Sequence, residues 1–159
     1  MGERASSRPA GFTLVELVVV TIILAVAAAI VVPQLTGTAS LQCQSASRLV
    51  MADLEYAQSQ AIVSQAPVTV TFNPGAGTYT LSNESDTLPH PITKKPYVVA
   101  LAGRDGFERV TIDGPPSVVR FTALGAPDQA GSVTLVAGAS EYRVNVAAVT
   151  GRVTVVKVR

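Results

Sequence analysis

Few side chains in this sequence are placed to do chemistry, and the first of them is a carboxylate in an apolar run. Glu16 lies in Phe12–Val32, a stretch otherwise almost uninterrupted in its hydrophobicity. An acidic side chain at mid-bilayer costs about 2.5–3.5 kcal/mol, and less near the interface. Glu16 sits about one helical turn into the run, so it needs either access to water or a positive partner. His90 is the only histidine and is flanked by Pro89 and Pro91. A Ser-His-Asp triad would have to run through it, and no nucleophile-elbow context accompanies it. Cys43 is the single cysteine, which rules out a disulfide within the chain and reads as a small apolar residue. Any metal site would depend mostly on carboxylates, and no ligand cluster stands out. Gly75-x-Gly77 is not followed by a helical pattern and so is not a phosphate loop. Asn83-Glu84-Ser85 matches a glycosylation acceptor only at chance level. Arg143, Arg152, Lys157 and Arg159 make the C-terminal end locally basic and could contact phosphates. The inventory reads as a non-enzyme without metal or cofactor.

The elements that position these residues follow from composition and period. With 159 residues the chain has room for one small domain and an appendage. A net charge of +1, without blocks of like charge, gives no global basic field for nucleic acid. Phe12–Val32 as a helix rises about 1.5 Å per residue and spans roughly 30 Å, the thickness of a bilayer core. Arg4 and Arg8 precede it, which by the positive-inside rule leaves the leader in the cytoplasm. Beyond it, Pro33 lacks an N–H and should kink the helix, and Gly37 loosens it further. From about Leu41 to Ser64 an amphipathic pattern follows. Ala46, Leu49, Val50, Leu54, Ala57, Ala61 and Ile62 form the apolar stripe, and Arg48, Asp53, Glu55, Gln58 and Gln60 fall largely between them. The helix should end before Pro67.

After Pro67 the period becomes two. Val68–Phe72 and Thr78–Leu81 flank the turn residues Asn73–Gly77 as a hairpin. Asn83–Pro96 reads as a loop. Tyr97–Leu101, Arg109–Ile112, Val118–Thr122, Ser132–Ala137, Tyr142–Val146 and Val153–Val158 read as further strands, with Thr150-Gly151 in a tight connection. The expected fold is α+β: one long helix, half in the membrane and half amphipathic, packed on an antiparallel sheet or pair of sheets.

Three readings of the N-terminal segment compete. A basic leader and Ala27-Ala28-Ala29 fit a secretory signal cut after Ala29, but Glu16 interrupts the apolar region and the run continues to Val32. A plain membrane anchor explains the length and leaves Glu16 without a role. The third reading uses every residue. Gly11-Phe12-Thr13-Leu14-Val15-Glu16-Leu17, with its basic leader and apolar helix, closely resembles the class III signal of type IV prepilins and type II secretion pseudopilins. That resemblance implies cleavage between Gly11 and Phe12 by a prepilin peptidase, N-methylation of Phe12 by the same enzyme, and an assembly role for Glu16. It also places Pro33 where many such proteins carry a proline.

Ala57–Ile62, Pro67–Phe72, Phe121–Gly125, Gly131–Leu135 and Val149–Val153 resemble the GspH/FimT family of minor pseudopilins. FimT-type members that aid DNA uptake share a C-terminal Gly-Arg-x-Arg. Here the sequence reads Gly151-Arg152-Val153-Thr154, without the second arginine.

The resemblance implies a leader at 1–11, a transmembrane and assembly helix at 12–33, its amphipathic continuation at 34–66 and a periplasmic β domain at 67–159. It implies a single-pass subunit of the bacterial inner membrane that meets prepilin peptidase, membrane lipid and other pilin-like subunits. Its function would be that of an H-type minor pseudopilin in type II secretion. The alternatives are a FimT-like minor type IV pilin in pilus assembly or DNA uptake, and a membrane-tethered binding domain that never assembles.

Overall fold

The computed structural model describes residues 12–159, and within them the side chains of 28–37 lie outside the description. The cleavage position at Gly11 and the kink expected at Pro33 therefore fall outside the described residues and side chains. Helix α1 runs Leu14–Ser64, and the chain divides into two units, Met1–Thr36 and Gly37–Arg159.

In the first unit the helix start is capped. Thr13 Oγ1 accepts the N–H of Glu16 at 3.1 Å, and the Thr13 carbonyl accepts the N–H of Leu17 at 3.2 Å. Thr13 is thus the N-cap residue and Glu16 stands three positions into the helix, the spacing of a capping box. From Phe12 to Ala27 every side chain is exposed, including Phe12, Leu14, Leu17, Ile23 and Leu24. Among the described residues no helix is long and apolar enough to cross a membrane.

In the second unit the helix lays a buried stripe of Ala39, Cys43, Ala46, Val50, Leu54, Ala57 and Ala61 into the core. Their three- and four-residue spacing keeps one face inward. The helix ends where Gln65 takes a left-handed φ of 52°, two residues before Pro67. Eight strands follow: β1 Val68–Asn73, β2 Thr78–Ser82, β3 Val98–Ala100, β4 Thr111–Asp113, β5 Ser117–Phe121, β6 Gly131–Ala137, β7 Ser140–Val146 and β8 Val153–Lys157. They form two four-stranded antiparallel sheets, ordered β3-β2-β1-β5 and β4-β6-β7-β8. The question the alternating pattern left open is thereby answered in favour of a pair of sheets.

One apolar cluster joins both sheets to the helix, with Phe72, Tyr79, Leu81, Phe121, Leu135 and Val144 among its buried members. Each such side chain contributes roughly 1.5–3 kcal/mol by leaving water. The β1–β2 connection is a short 3₁₀ turn, in which Asn73 Oδ1 accepts the Ala76 N–H at 3.3 Å and Gly77 takes φ 61°.

Two positions depart from the amphipathic reading. Asp53 is buried on the core face, because it follows Val50 by three residues and meets two tyrosine hydroxyls there. Ile62 is half exposed, its side chain lying against Gly125 at the rim.

Candidate assembly interface

The first candidate surface is the N-terminal helix itself. Aligned peptide dipoles place roughly half a positive charge at a helix N-terminus, so Glu16 in the first turn is favourably placed even within one chain. Around it the exposed apolar side chains lie on every side of the helix. A helix that is apolar all round is stable only when lipid or other helices cover it.

The motif stretches of the second unit converge on one node. Gln58 Nε2 donates to the carbonyl of Gly125 at 2.7 Å and to that of Thr150 at 3.2 Å, using both amide hydrogens. Gly151 has φ 66°, and a Cβ there would collide with Gln58 Nε2 and the Gly125 carbonyl. Gly125 has φ 78°, and its Cβ would meet Ile62 Cδ1 at 2.7 Å. A Cβ at Gly131 would lie 2.8 Å from Val119 Cγ2, where the two sheets touch. The Ala147–Gly151 turn closes with the Gly151 N–H on the Ala147 carbonyl and the Ala147 N–H on the Arg152 carbonyl, both at 3.0 Å. Gly151 is therefore a close-packing residue that locks the β7–β8 turn to the helix.

Strand register separates Arg143 from Lys157 among the four basic residues singled out at the C-terminal end. Arg143 projects from the outer face of β7, within 3.5 Å of Glu141 and of Thr134 Oγ1. Lys157 pairs with buried Tyr142 and so has the opposite side-chain parity. Arg152 lines a groove of about 420 Å³ with Arg48, Gln44 and Met51 of α1 and Tyr142 of β7. Arg159 is tied through its backbone, exchanging N–H and carbonyl bonds with Glu141. Arg48, which lines the same groove as Arg152, carried no such signal in the sequence.

A buried polar centre joins the helix to the first sheet. Asp53 accepts hydrogen bonds from Tyr79 on one oxygen and from Tyr97 on the other, the latter at 3.0 Å. Burial pushes the Asp53 carboxyl above its usual range, against the opposing pull of the two hydroxyls. Burial, with Asp53 beside them, pushes both tyrosine hydroxyls up as well. Tyr56 and His90 lie against Tyr97, with ring centroids 5.6 and 4.7 Å away. Cys43 is fully buried, its Sγ 3.3 Å from the Leu135 carbonyl, and burial raises its thiol too. Both groups pin the helix to the sheets. Among the described residues no cluster of three or more His, Cys, Asp or Glu could hold a metal.

Comparison with known proteins agrees with this architecture. The minor pseudopilin EpsH of the type 2 secretion system of Vibrio cholerae is similar over 73% of this chain and 97% of its own, with TM-score 0.56 and 12% identity. Two structures of the type IV minor pilin FimU of Pseudomonas aeruginosa align at TM-scores 0.51 and 0.50, with 16% and 17% identity, over 72% and 71% of this chain and 87% and 91% of theirs. No curated protein sequence matches the chain. The prokaryotic N-terminal methylation motif matches residues 6–32. A helix against paired antiparallel sheets, headed by that motif, defines a pilin-like subunit of the type II and type IV class. The model of the type II transport protein GspH matches residues 46–151, and the chain belongs to that family.

Proposed function

We propose that this chain is an H-type minor pseudopilin of a type II secretion system. A prepilin peptidase cuts after Gly11 and methylates Phe12. Residues 12–33 then hold the subunit in the inner membrane and in the fibre, 34–66 continue the helix, and 67–159 stand in the periplasm as the β domain. The reading rests on one observation above all. A Thr13-capped helix start carries Glu16 in its first turn, beneath a collar of exposed apolar side chains.

Cleavage creates an ammonium group at Phe12, just outside the cap. Added to the positive end of the helix, that charge is costly in lipid unless an anion meets it. A neighbouring subunit shifted along the fibre axis brings its own Glu16 to that group. Two charges that are unfavourable separately then offset each other on assembly, and their position fixes the register between subunits.

The test is intact mass and N-terminal sequencing of the protein purified from membranes of its own host. A chain beginning at N-methylated Phe12 supports the reading. A chain beginning at Ile30 means an ordinary signal peptide and overturns it.

A minor type IV pilin is the second reading, favoured by the two FimU alignments. Deleting the gene separates the two: loss of exported proteins supports the secretion role, and loss of surface pili the pilus role. For DNA uptake, Arg152→Ala or Arg143→Ala would weaken a gel-shift at low salt. A non-assembling tether would tolerate Glu16→Ala without consequence.

A further inference from the structure

The β3 edge of the first sheet borders a groove that the assembly role of the N-terminal helix does not use. Among the described residues β3 is the end strand of its sheet and pairs with β2 alone. The register sets which backbone groups are spent. Leu81 donates to the Tyr97 carbonyl and Leu101 to the Gly77 carbonyl, so the Tyr97 carbonyl, Val99 and Leu101 face β2, while the Tyr97 N–H goes to the Leu88 carbonyl at 2.7 Å. In an antiparallel ladder the alternate residues turn their N–H and carbonyl groups the other way. Ala100 therefore presents both groups to the free edge. Val98 presents its carbonyl there, while its N–H is turned back onto the Pro96 carbonyl at 2.8 Å.

That edge opens onto a groove of about 410 Å³. Its floor is apolar, with Val98 half exposed. Its polar rim is His90, Thr93, Lys95 and Arg104, and no carboxylate lines it. Two of the rim groups are already held. His90 Nδ1 accepts the N–H groups of Ile92 and Thr93 at 3.2 and 3.3 Å, which leaves Nε2 as the N–H donor. The Arg104 guanidinium lies 5.6 Å from the Phe107 ring centroid.

We propose that the β3 edge binds an extended acidic segment of a partner protein by strand addition. The Ala100 N–H and carbonyl supply the main-chain pairing, Val98 packs against an apolar side chain of the segment, and Lys95 and Arg104 meet its carboxylates. Main-chain bonds give such a complex its affinity, and the rim charges select the sequence. The site stands or falls independently of Glu16.

The experiment uses the full chain in detergent micelles and a fluorescent peptide of alternating Glu and Val. Controls are the same peptide with Lys for Glu, and the acidic peptide N-methylated at alternate backbone positions. The expected result is saturable binding of the acidic peptide, weakened at least tenfold by Lys95→Glu, by Arg104→Glu and by backbone N-methylation, with slowed hydrogen exchange at the Ala100 amide. Ala100→Pro removes the outward donor at an edge position, where proline is tolerated. It should weaken binding similarly while leaving far-UV circular dichroism unchanged. Equal binding of the acidic and basic peptides would overturn the proposal. So would undiminished binding of the N-methylated peptide, which would mean charge attraction without strand pairing. Self-association that protects Ala100 in the absence of peptide would assign the edge to a second copy and overturn the partner.

Discussion

Asp53 and Glu16 are both carboxylates in apolar company, and the chain accommodates them differently. Asp53 has its partners inside the fold. Asp53→Ala should orphan the Tyr79 and Tyr97 hydroxyls, at about 1–3 kcal/mol for each, read as a lowered midpoint in urea. Asp53→Asn keeps an acceptor and should cost far less. The raised Asp53 carboxyl also fixes a sign for pH. Between the unfolded and folded values the native state holds a proton that the unfolded chain has lost, so this group's stabilisation falls as pH rises through that window. Lowering pH from 7 toward the ordinary carboxylate range should therefore shift the stability difference in favour of wild type over Asp53→Asn, measured by denaturant titration at each pH. Glu16 has no such internal partner described beyond its own helix end. Under the proposed assembly role, Glu16→Ala should fold normally and reach the membrane yet fail to cross-link there to neighbouring pilin-like subunits.

At the scale of elements, the fastening of the β7–β8 turn to the helix is the informative case. Gly151→Ala places a Cβ on a left-handed backbone and against both Gln58 and the Gly125 carbonyl. Strain of that kind costs about 1–3 kcal/mol. Gln58→Ala removes the flexible half of the clash while the Gly125 carbonyl remains. The double variant should therefore be less destabilised than the two single losses added together, a coupling that a thermodynamic cycle on chemical unfolding would measure. Gln58 reads from the sequence as one more polar residue between apolar positions. The contact that gives it a role joins it to residues more than 60 positions away. No local pattern can carry that. Gly151 was legible as a turn glycine, whereas the need for an empty Cβ position came only from the packing around it.

For the whole molecule, the unit Gly37–Arg159 contains every buried apolar residue among those described, from Ala39 to Val153. A chain beginning at Gly37 should fold without detergent, with a cooperative thermal transition and a near-UV signal from its buried tyrosines. The full chain exposes Phe12, Leu14, Leu17, Ile22, Ile23 and Leu24 and should need detergent to stay dispersed. Aggregation of the short form, or detergent-free solubility of the long one, would contradict this division. The basic C-terminal residues illustrate the same scale: close in sequence, Arg143 and Lys157 are sent to opposite side-chain parities by strand register.

What the sequence determined by itself was whatever repeats at short range. The 3.6-residue period marked the helix, the two-residue alternation marked the strands and Pro67 marked the helix end, while the class of protein was implied by the resemblance of Gly11–Leu17 to the class III signal. These are read from neighbours along the chain, because backbone geometry places such neighbours on one face. The tertiary structure alone decided the split into two sheets, the burial of Asp53 between Tyr79 and Tyr97, the Gln58 node and the free edge of β3. Each of those depends on groups distant in sequence meeting in space, and only the packed core brings them together.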